Sequence, residues 1–191
     1  MIEQEFLKEF IRHLQNSVIL FKPEIALLIT FVLALIFDVI FKKSRNVSAV
    51  VSLIGFVVTG CLLIFQPHLQ DQAFSHLVAI DSFGVYFKLI ILLTSFIIVV
   101  ISFFSKELYT EGRTLGEYYS LIAGMTIGMF LLVSSTNLIM IYLSIEIMSI
   151  SSYVLAGYTK EIKRASEASL KYVIFGAVSS GIMIYGISIL Y

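Results

Sequence analysis

The sequence predicts an all-α integral membrane protein with six transmembrane helices. The first observation behind this prediction is composition: the 191 residues are 59% hydrophobic and only 14% charged. Soluble domains are about 45–50% apolar and about 25% charged. The second observation is length, because a spanning helix needs about 20 mostly apolar residues. Six segments meet that requirement, at roughly residues 23–41, 47–65, 83–104, 117–133, 137–158 and 165–191.

Local signals support the individual helices. Pro23 stands in the first turn of the first helix, where its missing N–H leaves no hydrogen bond unmade. The second segment stops at Gln66 and Pro67, and the third is rich in isoleucine. The fourth segment carries Gly124 and Gly128, a small-xxx-small pair that predicts close packing against a neighbouring helix.

Residues 1–22 do not form a signal peptide, because charged residues interrupt any apolar core and no small-residue cleavage site follows. Apolar residues recur at helical spacing in this segment, which predicts an amphipathic helix lying on the membrane surface. These residues are Phe6, Leu7, Phe10, Ile11 and Leu14.

The distribution of basic residues predicts the orientation. Loops 66–82 and 134–136 contain no Lys or Arg. The loops after the first, third and fifth helices are basic, with Lys42, Lys43, Arg45, Lys106, Arg113, Lys160, Lys163 and Arg164. Because basic loops stay in the cytoplasm, the N-terminus is predicted to lie outside.

Charge and cysteine content exclude several function classes. The formal net charge is zero, which argues against a nucleic-acid partner. Cys61 is the single cysteine, so neither a disulfide framework nor a Cys/His metal site is predicted.

Glu146 is the main candidate functional residue, because it is the one charge in the apolar run 137–158. A carboxylate at the centre of a membrane helix costs about 2.5–3.5 kcal/mol on insertion scales. At 100° per residue, Tyr142, Ser149 and Tyr153 share its face. This polar stripe predicts either a proton relay or a hydrogen-bonded helix contact in which Glu146 stays protonated.

Lys171 is the second ionisable candidate, and Glu167 lies one turn before it on the same face. Lys171 either belongs to a proton path or is an interfacial lysine that reaches the membrane surface. Its predicted depth lies about 9 Å from that of Glu146, so a direct salt bridge between them is not expected.

Four other charged residues are predicted to lie near helix ends. Lys88 is expected to extend its ammonium to the outer surface, and Glu24 and Asp38 are expected at the membrane interface. Glu117 opens the fourth helix, where a carboxylate complements the helix dipole.

Several ordered motifs resemble subunit N of the proton-pumping NADH–quinone oxidoreductase, respiratory complex I, and the wider antiporter-like superfamily. The resemblance covers essentially the whole chain. It is carried by Pro23-Glu24-Ile25, Asp38, Gly116-Glu117-Tyr118-Tyr119, Gly128-Met129, Asn137-Leu138, Glu146-x-x-Ser149, Tyr153-x-Leu155-x-Gly157-Tyr158, Glu167-Ala168-Ser169-Leu170-Lys171-Tyr172, Gly176-Ala177, Ser180, Tyr185-Gly186 and Tyr191.

The resemblance implies a three-helix extension at 23–105, after the surface segment 1–22. Residues 106–191 would then begin an antiporter-like unit in a bundle of about fourteen helices in inverted repeats. Glu146 would match the helix-five glutamate and Lys171 a helix-six lysine of the proton path. The helix-seven and helix-eight lysines have no counterpart, so the chain is expected to be a truncated portion of a longer subunit.

The resemblance also implies partners and cofactors. The chain itself would bind none of the complex's NADH, FMN, iron–sulfur clusters or quinone, which would belong to other subunits. Its partners would be neighbouring membrane subunits and the lipid bilayer, in the inner membrane of a bacterium. Electron transfer to quinone would drive proton translocation.

Two alternatives remain open from sequence. An Mrp-type cation/proton antiporter or a membrane-bound hydrogenase shares the helix-five glutamate, although the motifs Gly-Glu-Tyr-Tyr and Glu-Ala-x-Leu-Lys-Tyr favour subunit N. A non-catalytic membrane scaffold is the other alternative, and it would tolerate replacement of Glu146 by Gln.

Overall fold

The computed structural model describes residues 17–41, 47–66, 71–74, 77–105, 115–159 and 163–190. Six helices in this part of the chain are long and apolar enough to cross a membrane, which confirms the predicted fold class. They are α1 (Lys22–Ile40), α2 (Val47–Ile64), α3 (Ser82–Phe104), α4 (Gly116–Ser134), α5 (Leu138–Ala156) and α6 (Lys163–Leu190). The predicted surface helix lies mostly in residues 1–16, outside the described residues, and so do the basic loops 42–46, 106–114 and 160–162.

Helix α4 is the centre of the bundle, because it packs against α1, α3 and α5. Helix α2 packs between α1 and α3, and α6 contacts α5. The core lies along α4, where Tyr119, Ala123 and Phe130 have no exposed surface. Helix α4 belongs to the predicted antiporter-like unit but also packs against the predicted extension. Because this packing does not separate the two parts, the boundary near residue 105 stays a prediction.

Glycines allow the closest helix approaches. A Cβ on Gly128 would lie 2.7 Å from Met148 Cγ, and one on Gly124 would lie 3.3 Å from Ser151 Oγ. Both contacts join α4 to α5, which confirms the packing role predicted for this pair. Gly55 of α2 makes a similar approach to Thr30 of α1.

Asp38 links three helices at one end of the bundle. Its Oδ1 accepts a hydrogen bond from the backbone N–H of Gly116 at 3.0 Å and one from Ser48 Oγ at 3.4 Å. The first bond satisfies an N–H at the start of α4, where a carboxylate also complements the helix dipole. Glu117 is exposed in the same first turn, as the sequence predicts.

A β-hairpin covers the opposite end of the bundle, which is called the hairpin end below. Strands β1 (Asp71–Ala73) and β2 (Val78–Ile80) pair antiparallel between α2 and α3. The prediction of a loop over residues 66–82 was wrong at both strands. Val78 also forms an isolated bridge with Ser135, which fastens the hairpin to the α4–α5 connection.

The predictions for Lys88 and Glu24 were wrong. Each side chain is only 3% exposed, and Lys88 Nζ donates to Glu24 Oε1 at 2.5 Å. Both residues lie near the hairpin end, but their side chains point into the bundle rather than to its surface. The prediction rested on how near each residue lies to a helix end. Burial depends instead on whether the helix face that carries the residue points into the bundle or toward the lipid.

Candidate functional site

Helix α5 presents one polar face to α4. Ser144 and Ser151 are buried there, and each hydroxyl donates to the carbonyl four residues earlier, Met140 and Ile147 respectively. These two serines therefore pack against α4 and hydrogen-bond to the backbone of their own helix.

The predicted stripe lies on another face of α5, which meets α6. Ser180 Oγ donates to Tyr142 OH at 3.4 Å. Three turns further along α5, the Tyr153 ring packs edge-on against Tyr172 with centroids 4.7 Å apart. Ser169 Oγ also donates to the carbonyl of Tyr153 at 2.9 Å. The two tyrosines thus bracket a polar seam between α5 and α6.

Glu146 lies on this seam between the two tyrosines. It is within about 40° of both on the helical wheel and is half-buried. Among the residues that the structure describes, none forms an ion pair or a hydrogen bond with its carboxylate. Ser149, one turn away, is also half-buried. The seam therefore holds an ionisable group beside two phenols, without a charged partner in the described part of the chain.

Lys171 does not join this group. Its Nζ lies 2.6 Å from Glu167 Oε1, and the two side chains are 65% and 64% exposed. Ser169 contacts Tyr153 and closely approaches Gly157, so Ser169 lies near the level of Leu155 and Lys171 near that of Tyr153. Seven residues separate Tyr153 from Glu146, or about 10.5 Å along the helix. The structure therefore separates the two candidates, and a proton-path role for Lys171 stays a prediction.

The described residues contain no group of three His, Cys, Asp or Glu side chains that could hold a metal ion. The sequence analysis missed one polar cluster, the Lys88–Glu24 pair. A signal for it was present, since Lys88, Ser95 and Ser102 recur at intervals of seven residues and so share one face of α3.

Gly176 tests the geometry of the seam, because a Cβ there would lie 1.8 Å from the Tyr153 hydroxyl. We expect Gly176→Ala to displace the Tyr153 ring and loosen the α5–α6 contact, at a cost of roughly 1–3 kcal/mol. Unfolding of the purified protein in detergent measures the change. Gly181→Ala is the matched control, since nothing lies within 4 Å of a Cβ there. Equal effects at both glycines would contradict the described seam.

Comparison with known proteins relates the site to a family. Residues 135–191, which include α5 and α6, match the family model described as "NADH:quinone oxidoreductase/Mrp antiporter, TM". The chain is 44% identical over 188 residues to NADH-quinone oxidoreductase subunit N 2 of Chloroherpeton thalassium, covering 97% of this chain and 37% of that protein. The chain is similar to this family.

Other members of the NADH:quinone oxidoreductase/Mrp antiporter family show comparable similarity. Identity is 39% over 189 residues to NADH-quinone oxidoreductase subunit N of Chlorobium chlorochromatii, covering 97% of this chain and 36% of that one. It is 34% to the chloroplastic NAD(P)H-quinone oxidoreductase subunit 2 of Mesostigma viride, covering 96% and 36%. The chain thus spans little more than a third of the length of these relatives.

Solved structures of two membrane complexes share the fold. A chain of respiratory complex I from Thermus thermophilus, solved with bound aureothin, superposes with a TM-score of 0.72 at 23% identity, covering 88% of this chain and 36% of that chain. A chain of an archaeal membrane-bound sulfane sulfur reductase gives 0.69 at 19% identity, covering 88% and 37%. The shared fold is the multi-helix membrane bundle described above.

Proposed function

We propose that this chain is part of a membrane subunit of a proton-translocating NADH–quinone oxidoreductase, and that Glu146 takes up and releases the translocated proton. The observation that supports this most directly is the position of Glu146. It is a half-buried carboxylate in the middle of a membrane helix, on the seam with α6. An ionised carboxylate at this depth raises the free energy of a membrane helix. Its presence therefore favours a role in an ion path over a structural role.

The surroundings of Glu146 suit proton exchange. The hydroxyls of Tyr142 and Ser149 can donate to the carboxylate or accept from the carboxylic acid, so both protonation states can be hydrogen-bonded. A cation that approaches Glu146 would favour its ionised form, and withdrawal of that cation would favour proton uptake. We place that cation outside the described residues, because Lys171 is bound to Glu167.

The chain's place in a larger assembly follows from the same proposal. NADH, FMN, iron–sulfur clusters and quinone would be handled by other subunits, and this chain would contact neighbouring membrane subunits in the inner membrane of a bacterium. The N-terminus would lie outside. Similarity to proteins named subunit N favours this assembly over an Mrp-type antiporter or a membrane-bound hydrogenase.

Replacing Glu146 with Gln tests the function, because Gln keeps the shape and hydrogen-bonding capacity but cannot ionise. We expect NADH-driven proton uptake into membrane vesicles to fall roughly tenfold or more, the low end of what a positioned acid–base group contributes. The complex should still assemble.

Glu117→Gln is the control, since Glu117 is an exposed carboxylate at the start of α4. It should pump as the unmodified complex does. Normal pumping by the Glu146→Gln complex would sink the proposal and support the scaffold alternative.

A further inference from the structure

The ion pair between Lys88 and Glu24 is the one strongly buried charged cluster in the described residues that the proposed function does not use. Lys88 Nζ lies 2.5 Å from Glu24 Oε1, and it stands 5.8 Å from the centre of the Phe130 ring. These contacts bring α1, α3 and α4 together near the hairpin end. A buried pair of this kind contributes little net stability, because apolar residues of similar volume often replace it without loss.

The pair is not fully satisfied by the protein. Glu24 Oε2 is buried and has no hydrogen-bond partner among the described residues. A buried carboxylate oxygen without a hydrogen bond is unfavourable. This oxygen therefore offers an unused lone pair to a proton or to a hydrogen-bond donor.

Two more buried oxygens without described partners lie at the same end of the bundle. They are Gln66 Oε1, just beyond α2, and Ser134 Oγ, at the last residue of α4. Gln66 Nε2 donates to the carbonyl of Leu20, which fixes it next to the start of α1. Three such oxygens therefore lie toward the hairpin end, and each can accept a hydrogen bond.

Hydroxyl pairs continue from this region along the contact between α3 and α4. Thr126 Oγ1 donates to Ser95 Oγ at 2.8 Å, and Ser102 Oγ lies 2.9 Å from Tyr118 OH. Lys88, Ser95 and Ser102 are seven residues apart, so successive polar positions are separated by about 10.5 Å. Polar groups thus mark this contact over most of the length of α3.

We propose that Glu24 and Lys88 form a second proton-exchange site, distinct from Glu146 and near the hairpin end. A proton delivered by water binds Glu24 Oε2 while Lys88 remains an ammonium. Lys88 then releases a proton from Nζ to a water molecule, which passes it to bulk water, and the carboxyl proton of Glu24 moves to Nζ. One proton enters and one leaves, the ion pair is restored, and no electron is transferred.

Other charged groups at this end do not replace the pair. Lys22 and Tyr86 are exposed, and Asp81 Oδ1 accepts from the backbone N–H of Gly84 as the cap of α3. From α4 and the end of α2, the side chains nearby are the uncharged Phe130, Ser134 and Gln66. Among the side chains whose burial the structure describes, Glu24 and Lys88 are the buried charged groups.

Infrared difference spectroscopy on the complete purified complex tests the site, by comparing the resting enzyme with the enzyme during NADH oxidation. We expect a carboxylic-acid C=O band that shifts in D₂O and is lost in Glu24→Gln. Glu117→Gln should keep the band. A band that persists in Glu24→Gln would overturn the proposal.

A second measurement separates proton exchange from a structural role. In the double variant Glu24→Leu with Lys88→Met the complex should assemble, yet protons moved per electron should fall at least about twofold. An unchanged ratio would show that the pair only joins helices. Both measurements rest on the proposed assembly in an NADH–quinone oxidoreductase, but neither rests on the role of Glu146. The infrared band should remain in Glu146→Gln, so failure of the Glu146 proposal is distinguishable from failure at Glu24.

Discussion

Lys88→Met is expected to destabilise the protein by about 3–5 kcal/mol, because it removes one partner of a buried ion pair and leaves the other. Glu24 would keep a buried carboxylate beside a thioether, or take up a proton and become an acid with poor hydrogen bonding. One of its two oxygens, Oε2, already has no hydrogen-bond partner among the described residues. Thermal or chemical unfolding of the purified protein in detergent measures the loss.

Lys171→Met is the matched control, since its Nζ also pairs with a glutamate but the pair is about two-thirds exposed. An exposed pair of this spacing contributes about 0.3–0.5 kcal/mol. The double variant Glu24→Leu with Lys88→Met should recover most of the stability, because no charge remains buried. If Lys88→Met were as mild as Lys171→Met, the buried pair would not exist in the folded protein.

Gly55→Ala is expected to be the second most disruptive change, because α1 and α2 touch at this glycine. An added Cβ would lie 2.1 Å from Thr30 Oγ1 and 2.7 Å from Thr30 Cβ. Rotation of the threonine cannot move its own Cβ, so the two helices would have to separate. Overpacking of this kind costs about 1–3 kcal/mol, and it would be measured by the same unfolding experiment.

Gly60→Ala is the control in the same helix. The nearest atom to its added Cβ is Leu92 Cδ2 at 3.2 Å, the end of a flexible side chain that can rotate away. We expect a change within about 0.5 kcal/mol there. Combining Gly55→Ala with Thr30→Gly should restore stability, since it removes the clashing side chain. Similar losses at Gly55 and Gly60 would refute the close α1–α2 approach.

Features that depend on local spacing were predictable from the sequence. The Glu167–Lys171 pair forms because residues four apart on a helix are neighbours. The Gly124 and Gly128 contacts follow from the same periodicity, which places both small residues on one face of α4. Ser144 and Ser151 bind carbonyls of their own helix, which needs no information from elsewhere in the fold.

The stripe on α5 shows where such reasoning stops. Helical spacing correctly placed Tyr142, Glu146 and Tyr153 on one face, but it could not say which helix that face meets. The structure shows that Tyr142 and Tyr153 meet α6 through Ser180 and Tyr172. Spacing on α6 likewise could not show that Lys171 is turned toward Glu167 and lies well away from Glu146.

The sequence by itself determined the membrane class, the six helices and the location of the candidate carboxylate, because apolar length and helical periodicity are local properties. Only the tertiary structure decided how charges 64 residues apart, Glu24 and Lys88, meet inside the bundle. It also decided that a hairpin covers one end, where β2 pairs with Ser135 across the chain. Both features depend on which helix faces pack together. That packing is set by contacts between residues far apart in sequence, so local spacing alone does not predict it.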